Sequence, residues 1–153
     1  MLKDAVFQTA AAGLGTLGFA LLFRVPRNKL LAATIGGILA WALYLGVRAL
    51  GGGLFLANLA AAAAVSLYAE LMARRIHAPV ILFLAPGIIP LLPGGALYRT
   101  MLALIQGDPA VRTLGRETAI VCLGIAAGIV LVSAPVQHLV RAARQRKTEA
   151  SER

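Results

Sequence analysis

Long apolar runs separated by short charged connections set the pattern of this chain. Residues 5–23, 30–47 and 54–72 are almost free of charge, and the 19 residues of the first reach about 28 Å at ~1.5 Å per residue, close to the hydrocarbon thickness of a bilayer. Each run predicts a spanning helix. RVPRNK (24–29), RALGGG (48–53) and RRIHAP (74–79) connect them. No A-x-A-type cleavage site ends the first run, so it is expected to stay as the first span. A last apolar run, 118–136, follows the polar connection QGDPAVR (106–112) and precedes the tail RAARQRKTEASER (141–153).

Residues 79–105 are different. The stretch PGIIPLLPGGALYR (86–99) sets three prolines and three glycines in an apolar run. Proline removes a donor and glycine admits unusual dihedrals, so a continuous helix is not expected. The spacing predicts a half-helix from 80 to 84 extending toward 89, a break over 90–95, and a second half-helix over 96–105. A re-entrant hairpin is the alternative. Irregular backbone at membrane depth faces protein, a cavity or water, as in transporters and channels.

Composition turns this pattern into a class. Of 153 residues, 59% are hydrophobic and 14% charged, against roughly 25% charged in soluble domains. The prediction is an all-α integral membrane protein with about five spans, the fourth broken at the PGG loop. Residues 1–140 form the transmembrane domain and 141–153 a basic cytoplasmic tail. The net charge of +9 does not point to nucleic acid, because ten of the fifteen basic residues fall in two connections and the tail. If 79–105 is one broken crossing, one side receives Lys3, Arg48, Arg112 and Arg116, and the other receives the basic connections and the tail. The positive-inside rule then puts the N-terminus outside and the C-terminus in the cytoplasm. A re-entrant segment would spoil that bias.

Small residues predict close helix contacts. Gly124 and Gly128 are four apart with Ala126 and Ala127 between them, and 60–64 is an alanine run. GLGTLG (13–18) formally matches a dinucleotide fingerprint but lacks the strand and βαβ unit that give it meaning, and it reads as a smooth packing face. Tyr44 fits an interfacial belt; Trp41 is deeper and is expected against a neighbour.

Chemistry is sparse. Cys122, His77 and His138 are too scattered for a metal site or a disulfide framework. No activated nucleophile or acid cluster suggests an enzyme, and no cofactor motif is present. A helix restarting near Gly95 offers amides with a partial positive charge, and Arg99 adds a carboxylate fork. Pro90, Pro93, Gly94, Gly95, Tyr98 and Arg99 are therefore the candidate solute-binding or gating residues. Asn58 is either helix-to-helix glue or part of the same cavity lining. Glu70 and Glu117 are the candidates for proton coupling, with an i,i+4 ion pair to Arg74 as the structural alternative for Glu70. Five helices without a visible repeat are few for alternating access, so a partner subunit or a homo-oligomer is expected. A homo-oligomeric channel or transporter, and an assembly subunit without solute contact, are the rival functions.

GFALLFRVPRNKLLAATIGG (18–37), FLANLAAAAAVSLYAELMARRIHAP (55–79) and PGIIPLLPGGALYRTMLALIQGD (86–108) resemble the small subunit of the split threonine/serine exporter family, which is similar to the C-terminal half of the one-chain forms. The resemblance extends over about 11–135 and implies a multi-pass subunit of the bacterial inner membrane, assembled with a larger family subunit. It implies proton-driven export of threonine and serine, or of succinate as by a two-subunit member. Each of these solutes carries a carboxylate.

Overall fold

In the computed structural model the chain is described from residue 2 to residue 151, with side chains from 3 to 136. Six α-helices follow one another: α1 (Leu2–Leu22), α2 (Leu30–Ala49), α3 (Leu54–Ile76), α4 (Ile81–Ile88), α5 (Gly94–Gln106) and α6 (Val111–Ser151). Two 3₁₀ turns, Arg27–Lys29 and Ile89–Leu91, precede α2 and follow α4. Four helices are long and apolar enough to cross a membrane, and α4 with α5 makes a fifth candidate if the bent pair is one span.

The helix ends share one chemistry. Arg24, Gly51, His77 and Gly107 each take a positive φ just past a helix. The next residue's amide reaches back five positions: Val25 to the Ala20 carbonyl, Gly52 to Val47, Ala78 to Ala73 and Asp108 to Ala103, at 2.9–3.0 Å. These are Schellman closures. Pro26, Pro79 and Pro109 follow two residues after Arg24, His77 and Gly107, where a helix cannot continue. Asp108 then opens α6, its Oδ1 accepting the Ala110 amide at 2.8 Å.

Several expected boundaries move. Arg74 and Arg75 form the last turn of α3, and Arg112, Arg116 and Glu117 lie in the first turns of α6, which starts before residue 118. As backbone, α6 continues through Pro135 to Ser151. The expected tail and its boundary at 140 fall within that helix, where side chains lie outside those described. The break between α4 and α5 is narrower than expected. Only Leu92 (ψ 129°) and Pro93 (ψ 50°) leave helical geometry, and the two helical pieces meet there at 53°. Gly94 and Gly95 belong to the first turn of α5, not to a loop. Pro93 starts that turn because its missing N–H is one a first turn leaves unpaired anyway.

Packing is close and built on small residues, as for helices whose surroundings are as apolar as their side chains. A Cβ on Gly128 would stand 2.5 Å from the Leu59 carbonyl oxygen and 2.8 Å from Ala62 Cβ, and one on Gly124 2.8 Å from the Phe55 carbonyl oxygen. Backbone therefore meets backbone between α3 and α6. Since 124 faces 55 and 128 faces 59, the two helices run parallel. Gly37 gives the same close approach to Thr16 of α1 and Gly13 to Ile38 of α2, which makes α1 and α2 antiparallel. The small-face reading of GLGTLG holds for Gly13 and Thr16, both buried, whereas Gly15 and Gly18 face open space. A Cβ on Gly87 would stand 2.7 Å from Val65 Cγ2, so α4 crosses α3 where only glycine leaves room. Phe83 is the largest fully buried side chain.

Polar side chains within the spans return their hydrogen bonds to their own helix. Thr9, Thr16, Thr34, Ser66, Thr100 and Thr118 each donate to the carbonyl four residues back at 2.7–2.9 Å. This is the economical solution where no water competes. Tyr68 instead donates across to the Ala32 carbonyl at 2.7 Å, tying α3 to α2. Large apolar side chains such as Leu31 and Ile105 (77% and 81% exposed) face outward, as a lipid-facing surface requires.

Candidate functional site

The break exposes the start of α5. Within it the Gly94 amide donates to the Leu92 carbonyl at 2.9 Å, and the Leu97 amide to the Pro93 carbonyl at 2.8 Å. No side chain caps this end. The amides of Gly95 and Ala96 are left without an intrahelical acceptor. Tyr98 and Arg99 stand three and four residues after Gly95, on the same helix face. Tyr98 is 68% exposed, and Arg99 is exposed as well. Among the described residues Arg99 has no carboxylate partner. The result is a short positive face of backbone amides, a guanidinium and a phenol, suited to a small anion.

α5 is held from one side. It packs on α6, where Thr100 Oγ1 lies 3.2 Å from Thr118 Oγ1. Each hydroxyl also reaches its own helix carbonyl, so two protons serve three contacts. This α5–α6 polar contact was not read from the sequence; two threonines 18 positions apart give no signal before the hairpin is known.

The other predicted residues do not join that face. Asn58 is 2% exposed; its Nδ2 donates to the Leu54 carbonyl at 2.8 Å, and Gly124 packs on its Cβ side. It lies at the α3–α6 contact, but its amide bonds back to its own helix rather than across to a neighbour. Glu70 is half-buried on α3 and Glu117 exposed on α6. By the parallel register, with 55 level with 124, these acids sit near opposite ends of the bundle, more than roughly 20 Å apart along it at ~1.5 Å per residue. The expected Glu70–Arg74 ion pair is not formed among the described residues. One turn of helix brings the two Cβ atoms close, but two long side chains at an interface gain little from pairing there. Pro90 lies in the 3₁₀ turn after α4, on a cleft of about 240 Å³ that it shares with Gln8 and Ala12 of α1 and Trp41 of α2. Trp41 packs at the edge of the core formed by Ala40, Ala61, Val65 and Leu91, its ring 5.1 Å from that of Tyr44. Its indole Nε1 is buried without a hydrogen-bond partner. An unpaired buried donor costs about 1–3 kcal/mol. No group of three or more His, Cys, Asp or Glu fit to hold a metal occurs among the described residues.

Long apolar helices, parallel and antiparallel, with a bent pair between two of them, define a multi-span membrane protein. The chain belongs to the threonine/serine exporter family ThrE: the family described as "Threonine/Serine exporter, ThrE" matches residues 8–134. Members of that family are exporters, not enzymes. A curated relative, the "Probable threonine/serine exporter" of Mycobacterium tuberculosis (strain ATCC 25618 / H37Rv), is 32% identical over 108 residues. That alignment takes in 69% of this chain but 20% of the relative, so the chain spans about a fifth of that protein. No solved structure matches the chain.

Proposed function

We propose that this chain is the smaller membrane subunit of a secondary exporter for carboxylate-bearing solutes, threonine and serine or a dicarboxylate such as succinate, in the bacterial inner membrane. The observation that carries the reading is the 53° break at Leu92–Pro93, in a chain of an exporter family. It opens the first turn of α5 beside Arg99. The amides of Gly95 and Ala96 and the Arg99 fork hold the carboxylate, Tyr98 donates a hydroxyl, and Pro90 and Pro93 fix the bend. Gly94 and Gly95 leave the approach to those amides free of side chains. A larger family subunit supplies the remaining wall of the pathway.

Residues 81–106 make one broken crossing in this reading. The parallel course of α3 and α6 supports it, because two parallel spans need an odd number of crossings between them. With the basic connections inside, the N-terminus is outside and the C-terminus cytoplasmic. Glu70, half-buried within a span, is the better of the two acids for proton coupling.

Arg99→Ala tests the site. Loss of a charge-assisted contact predicts a fall in export of roughly tenfold or more at unchanged membrane abundance. Export at the wild-type rate per assembled complex rejects Arg99 as a solute ligand.

A further inference from the structure

Trp41 Nε1 is the one buried side-chain nitrogen or oxygen without a hydrogen-bond partner among the described residues. Buried donors are almost always paired, so an orphan at the edge of the core calls for an explanation, and a partner that comes and goes is one. Its position narrows what that partner is. Trp41 lines the cleft between α1, α2 and the 3₁₀ turn, just before the break at Leu92–Pro93, with its Nε1 closed off from the cleft. Gln8, on the same cleft, carries a carboxamide that donates and accepts, and it makes no hydrogen bond among the described residues. A polar side chain held within an otherwise apolar span faces a cavity or a pathway more often than lipid. Pro90, the third wall, has no N–H to give, so the backbone of the 3₁₀ turn before the break is short of one donor as well.

We propose that Gln8 and Trp41, against the Pro90 turn, form a second solute subsite, in which the indole N–H donates to a hydroxyl or carboxylate oxygen and the Gln8 carboxamide to the same end of the solute. The proposal rests on the exporter reading given above and adds to it the chemistry that would distinguish a hydroxylated or doubly acidic solute from a purely apolar one. A cleft of about 240 Å³ is several times the ~30 Å³ that a water occupies in the liquid, room for one small polar end group. In the conformer described here the Nε1 atom is shut off from solvent. The 3₁₀ turn must therefore shift for the solute to reach it, and 3₁₀ segments hold their hydrogen bonds in poorer geometry than an α-helix. Solute that binds the shifted conformer better draws the chain toward it, as a transport cycle requires.

Trp41→Phe keeps the ring and removes the N–H; Gln8→Leu keeps the bulk on an exposed position and removes the amide. Each is compared with the wild type, in the complete assembly reconstituted in proteoliposomes, for the concentration dependence of labelled threonine, serine and succinate transport. A subsite predicts KM raised about tenfold for the transported solute in both variants, with maximal rate within twofold and assembly unchanged. A structural role alone would lower abundance or maximal rate and leave KM as it was, and wild-type KM in both variants overturns the proposal while leaving the exporter reading intact. If the wild type transports none of the three solutes, the exporter reading falls and takes this subsite with it. Should the tryptophan variant fail to assemble, wild-type KM in Gln8→Leu is enough to reject the subsite.

Discussion

At the scale of single residues, the chain separates positions whose side chains are excluded by packing from positions that chemistry requires. Gly128 is of the first kind, since a Cβ there meets the Leu59 carbonyl oxygen at 2.5 Å. Gly128→Leu forces α3 and α6 apart, and overpacking of this sort costs about 1–3 kcal/mol. Thermal unfolding of the detergent-solubilised protein should show a lower midpoint, whereas Gly15→Leu, which enters open space, serves as the control with an unchanged one. Equal midpoints for the two variants would contradict the α3–α6 contact. Glu70 is of the second kind in the proposed function. Glu70→Gln retains size and hydrogen bonding but not the titrating proton, so export driven by an imposed pH gradient should drop several-fold (of the order expected for a lost acid–base group in a coupled cycle). Gradient-driven export at the wild-type rate would remove Glu70 from the coupling path. Much at this scale was legible beforehand. Gly124 and Gly128 announced a packing face by spacing alone. Trp41 was expected against a neighbour, yet its missing partner was not, because satisfaction of a donor depends on what other helices bring to it. Gln8 was not singled out from the sequence; a lone carboxamide in an apolar run gains meaning only from the cleft it lines.

At the scale of elements, the helix ends follow from local chemistry. A residue in the left-handed region, an amide reaching back five positions and a proline two residues on together fix where α1, α3 and α5 stop. The sequence showed those prolines but placed the helix starts and stops a few residues off, since Arg74 and Arg112 look like loop residues by charge and are compatible with a helix end by geometry. The expected half-helices fall on α4 and α5, which meet at 53°, with the departure from helical geometry confined to Leu92 and Pro93 rather than spread over 90–95; that the pair makes one crossing is part of the proposal. Glycines in a helix's first turn look like loop residues from sequence, because their low helix propensity is outweighed here by the turn that Pro93 begins. The crossing itself is an element-scale prediction. Reporter domains fused after Gly107 and after Arg144 should report the outer face and the cytoplasm respectively. A cytoplasmic signal after Gly107 would mean that the segment is re-entrant, in conflict with the parallel course of α3 and α6.

At the scale of the whole molecule, six helices pack through small residues into a bundle whose broad outer surface is apolar. α5 rests on α6, with its amide-rich first turn, Tyr98 and Arg99 turned outward. A transport pathway needs walls on all sides, and in the proposed function this chain supplies one of them. The small number of spans and the lack of a repeat raised the expectation of a partner, but not of which surface would receive it, because apolar faces toward lipid and toward a helix share the same composition. The central claim is that transport requires this chain together with a larger family subunit. The measurement that tests it most directly is uptake or efflux of labelled threonine, serine and succinate in proteoliposomes holding this chain alone or copurified with that larger subunit. The account predicts transport of at least one solute in the paired sample and none above empty liposomes for the chain alone. Equal transport by the chain alone would contradict it and make the pathway a homo-oligomer.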